Sequence, residues 1–258
     1  MAYVSNRLVH WAGSGRTPDE QYTLLTRNIL QPRLLKYGAC PWKFRSKYGG
    51  VKNFKIEMIC FTDIPFSETE THCTRYSPFG VSFEKSYLVN CLACPVGYVQ
   101  NPLVHQNFSY IYHILDGVRQ QSITVDTGQH AGKAFDVAEI LKRLMYMMVF
   151  KEDYSREEYK YNELIDEPLP DQQKFFEDLN SLYFEREWRM VLSPTAKVPW
   201  HVVTDGLTYF RFKEKFMGPI IMPREYVARF GAERDEVFAE YDRNWFPVVL
   251  AYEDLRFM

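Results

Sequence analysis

One segment constrains the fold more than any other: Tyr183-Phe184-Glu185-Arg186-Glu187-Trp188-Arg189-Met190-Val191. Side chains on a strand alternate between faces with a period of two. Tyr183, Glu185, Glu187, Arg189 and Val191 therefore share one face, and Phe184, Arg186, Trp188 and Met190 share the other. The flanking Phe, Trp, Met and Val make this a core strand, so it belongs to a sheet that buries at least one face. Two carboxylates and a guanidinium there are costly to bury unless they are paired or used. Glu187 and Arg189 are spaced to pair with each other or to clamp a polar ligand. The plainer alternative is a solvated sheet face laced with cross-strand salt bridges.

The rest of the chain supplies strands before, between and after helical segments. A short strand, Leu8-Val9-His10-Trp11, is broken by Ala12-Gly13-Ser14-Gly15. Thr17-Pro18-Asp19-Glu20 reads as a helix start, with Thr as N-cap, Pro first and Glu third. Leu24, Leu25, Ile29 and Leu30 carry that helix on, and Pro32 limits it. Residues 37–53, rich in Gly, Lys, Arg and aromatics, read as a long loop. A strand over 56–62 ends at Asp63-Ile64-Pro65, a short helix fits 67–76, and strands fit 79–83 and 96–99. Helical spacing marks 105–120 and 134–150. Residues 151–171, highly charged and with two prolines, form an insertion or mobile loop. Strands resume at 182–192, 209–212 and 218–222; a helix opens at Pro223, and 248–252 closes a sheet. There is no regular βαβ alternation, so the expected class is α+β, a single domain over 1–258 with mixed sheets.

Charge narrows the function. The 31 basic and 33 acidic residues leave a net charge of -2, which excludes coating nucleic acid by bulk electrostatics. A local exception is the loop from Lys36 to Lys52, where Lys36, Lys43, Arg45, Lys47 and Lys52 interleave with Tyr37, Trp42, Phe44, Tyr48 and Phe54 and no acid. That pattern suits a nucleic-acid contact, or simply a solvated loop. Five cysteines, no secretory leader and no long apolar run point to the cytoplasm rather than a membrane.

Several residues are candidates for chemistry. His10 precedes a Gly-rich turn and a helix start, where backbone approaches a ligand closely and anions are favoured; alternatively it is a packed histidine. Asp63 ends a strand and either caps the turn or faces a site. His72 and Tyr76 sit four apart, on one face if that segment is helical. Cys91-Leu92-Ala93-Cys94 is a lone C-x-x-C without the further ligands that zinc requires, so no metal is expected.

Taken in order, these motifs resemble the AbiGi family of bacterial abortive phage-infection proteins. The residues that carry the resemblance are His10-Trp11-Ala12-Gly13, Cys60-Phe61-Thr62-Asp63-Ile64-Pro65-Phe66-Ser67, His72, Tyr76 through Lys85, Pro95-Val96-Gly97-Tyr98-Val99 and Glu185 through Arg189. The resemblance implies a phage-defence protein of the antitoxin type, with a cognate toxin as partner. A more distant similarity is to ADP-ribosyltransferases, which hold NAD in a cleft between two small sheets. It implies that His10 binds a ribose hydroxyl, Glu187 stabilises the oxocarbenium-like charge and Glu185 serves the acceptor. Trp11, Thr62, Tyr76 and Arg189 would complete the NAD site.

Overall fold

The computed structural model describes residues 5–46, 50–63, 65, 73, 76–99, 148–150, 186–192, 198–242 and 245–257. The chain divides into two compact units: Met1–Gly38, Met58–Cys94 and Phe184–Met258 form the first, and Ala39–Glu57 with Pro95–Tyr183 the second. The expected helix over 105–120, the 134–147 part of that over 134–150, the 151–171 insertion, Glu185, His72, and most of the 67–76 helix lie outside the described residues, while 148–150, expected to end the second of those helices, form a strand.

The first unit is built on a mixed, mostly antiparallel sheet. Its strands are β1 (Arg7–Trp11), the Met58–Thr62 part of β4 (Gly50–Thr62), β5 (Gly80–Glu84), the Cys94 end of β6 (Cys94–Pro95), β9 (Glu187–Val191), β12 (Met217–Met222) and β13 (Val249–Ala251). Their spatial order is β13-β12-β5-β1-β4-β9-β6. β12 and β13 run parallel, while β1 is antiparallel to both β4 and β5. A smaller antiparallel sheet orders β10 (His201–Thr204), β11 (Leu207–Arg211) and β2 (Leu34–Lys36). The α+β reading of the sequence agrees with this architecture.

Alternation along each strand divides the main sheet into two faces. Leu8, Phe83, Val81, Phe61, Ile59, Met190 and Ile220 are buried on the principal core face. The inner face of the smaller sheet meets it: Phe83 and Phe212 touch edge to face at 5.1 Å, and Tyr87 and Phe210 lie at 6.1 Å. Each fully buried ring or Leu contributes about 1.5–3 kcal/mol from area alone. Val9, Ile221 and Leu255 form a second cluster on the opposite face.

Helices close the first unit. α1 (Pro18–Thr23) starts as its sequence requires: the Glu20 carboxylate accepts from both the Thr17 amide and hydroxyl at 2.9 Å. It passes into a π-helical stretch, Leu24–Leu30, that carries Leu25, Thr26, Ile29 and Leu30 into the core. The Gly13–Arg16 turn before it is tied shut. Gln21 Nε2 donates to the carbonyls of Gly13 and Arg16, both at 3.1 Å, so these oxygens and the helix start are satisfied internally. α2 (Lys85–Asn90) continues directly from β5, and α3 (Arg224–Val237) follows Pro223 as expected. Tyr22 of α1 stacks on Tyr226 of α3 at 5.2 Å.

The second unit corrects one expectation outright. The described residues within 37–53 form strands where a loop was expected: β3 (Gly38–Ser46) pairs with β4, which begins at Gly50. The alternation Trp42-Lys43-Phe44-Arg45 has the period of a strand. The unit also holds a parallel pair, β7 (Gly97–Val99) with β8 (Met148–Phe150).

Gly80 is a point where packing depends on a missing side chain. A Cβ there would meet Trp11 Cε3 at 2.7 Å and Val9 Cγ1 at 3.1 Å, since the indole lies over β5. Gly80→Ala is therefore expected to destabilise the protein by about 1–3 kcal/mol through overpacking. A thermal melt beside wild type checks this, and an unchanged midpoint would show that Trp11 is free to move.

Candidate functional site

The register of three adjacent strands decides which candidate residues meet. Val9 of β1 faces Thr62 of β4, and Thr62 faces Glu187 of β9. Directly paired residues project to the same side of a sheet, so Val9, Thr62 and Glu187 share a face. Cys60 pairs with Arg189 in the next rung on that face. His10 follows Val9 and thus projects to the other side, where its ring meets Phe61 edge-on at 5.8 Å and Trp188 pairs with Phe61. His10 and Glu187 stand on opposite faces.

Glu187 and Arg189 form a bidentate pair. Arg189 Nε donates to Oε1 and Nη2 to Oε2, both at 2.9 Å. Their side chains are only 14% and 11% exposed, so the pair is largely withdrawn from water. Two parallel charge-assisted bonds satisfy both carboxylate oxygens in the plane of the guanidinium. Mutual pairing, one of the two roles that spacing allowed, is present. Thr62 is buried beside it.

On the opposite face His10 is held by the backbone. Its Nδ1 lies 2.9 Å from the Cys60 carbonyl, which can only accept, so Nδ1 carries the proton and Nε2 the lone pair. Burial of the ring lowers its pKa below the ordinary histidine value, and the Cys60 bond opposes that only in part. His10 is therefore neutral at pH 7. Trp11, on the Glu187 face, lies over Gly80 with its Nε1 buried and without a hydrogen-bond partner among the described residues. Tyr76 is half-buried in the turn before β5.

A charged contact absent from the sequence reading sits at the end of these strands. Lys85 pairs with Asp63, donates to the Ser5 carbonyl at 3.3 Å and lies over the Trp188 ring at 5.0 Å. Asp63 N–H donates to the Arg186 carbonyl at 3.1 Å, and its Oδ1 is buried without a partner among the described residues. Arg186 takes φ of 39°, left-handed for a non-glycine residue, immediately before Glu187. No local sequence signal joins Asp63 to Lys85, because their meeting depends on the β1 register. Cys91 is buried and Cys94 exposed, and desolvation raises both thiols above the ordinary value, away from thiolate chemistry. Among the described residues, no group of three or more His, Cys, Asp or Glu is placed to hold a metal ion. No helix there is long and apolar enough to cross a membrane.

The fold and site thus define an α+β protein with a large mixed sheet, a small companion sheet and a paired Glu–Arg on an inner strand. A family model described as "Putative abortive phage resistance protein AbiGi, antitoxin" matches residues 43–218, more than half of the chain, and the chain belongs to that family. Thr62, Tyr76, Glu185, Glu187 and Arg189 fall within the matched stretch; His10 and Trp11 precede it. No curated protein and no solved structure matches the chain, and the similarity to ADP-ribosyltransferases gains no support from these comparisons.

Two measurements check this geometry. Glu187→Gln leaves the Arg189 guanidinium short of a charge partner and is expected to cost about 1–3 kcal/mol. Glu187→Leu combined with Arg189→Met should regain most of that in denaturant titration, and a double variant worse than the single would contradict a simple pair. For His10, the folded pKa is lowered, so below about pH 6.5 the unfolded chain binds the proton and the native state does not. Stability is full above that pH and falls as pH drops through it. His10→Asn should flatten the fall in melting temperature between about pH 7 and pH 5.5.

Proposed function

We propose that this chain is the antitoxin-type member of a phage-defence pair and that it restrains a cognate toxin by direct contact. The observation that carries this reading is the match of the antitoxin-described AbiGi model across the greater part of the chain. The site supports it from the chemical side. A carboxylate that stabilises a developing cation must be open to substrate. Glu187 instead has both oxygens engaged by Arg189, and His10 projects from the opposite face with its Nδ1 bound to backbone. In this reading the pair fixes the sheet, and activity resides in a surface.

The enzyme reading makes the opposite prediction at the same residue, which gives a clean test. Glu187→Gln is expected to leave phage protection and toxin neutralisation within about twofold of wild type, measured at a temperature where both variants are folded, because loss of stability is its only effect. NAD should give no thermal shift and should not be consumed. Consumption of NAD by wild type that disappears in Glu187→Gln would overturn the binding reading in favour of an NAD-dependent transferase.

A further inference from the structure

No further inference is drawn: the strongest candidate, the Asp63–Lys85 cluster beside Trp188 at the end of β1, where Asp63 Oδ1 is buried without a hydrogen-bond partner among the described residues, belongs to the site already described, and nothing in the structure shows what covers that oxygen.

Discussion

β1 holds the first unit together because it is paired on both sides. Five residues of β1 are in register with β5, and Val9 is in register with Thr62 of β4. Those pairings alone determine that Leu8 enters the core with Phe83, that His10 follows it, and that Val9 and Trp11 look the other way. A one-residue slip would exchange these sets and expose Leu8 while burying Arg7. Strands from the far end of the sequence then dock onto a frame whose faces are already assigned: β9 on β4, and β12 on β5.

That dependence explains how the charged strand behaves. Glu187 and Arg189 are two apart on one face, so their pairing needs no partner from elsewhere. The chain brings a carboxylate and a guanidinium into a nearly dry position already neutralised, which limits the desolvation cost of each. Asp63 and Lys85 do the same across the end of β1, but from separate elements. Both arrangements are compatible with a sheet interior.

Much of this was legible in the sequence. Period-two alternation located β1, β5 and β12 and placed Glu187 with Arg189 on one face, and Thr17-Pro18-Asp19-Glu20 located α1. The pairing of β3 with β4 was missed because Gly and Lys weighed more heavily than the alternation through Trp42 and Phe44. β10 was missed although Asp205-Gly206 is a strong hairpin signal. The site was harder to read. Spacing within one strand reveals a shared face, but the relation of His10 to Glu187 depends on pairing between strands far apart in sequence.

The left-handed residue at Arg186 acts as a stop on sliding. Its carbonyl takes the Asp63 amide just beyond the last rung between β4 and β9. Moving β9 by two residues would preserve every face but would put an ordinary extended residue where that turn of the backbone is needed. Alternation alone therefore allows several alignments of β9 on β4, and the bend at Arg186 leaves one. The ion pair beside it is kept opposite Thr62 and Cys60 as a result, by a vernier set in the main chain rather than by the charges themselves.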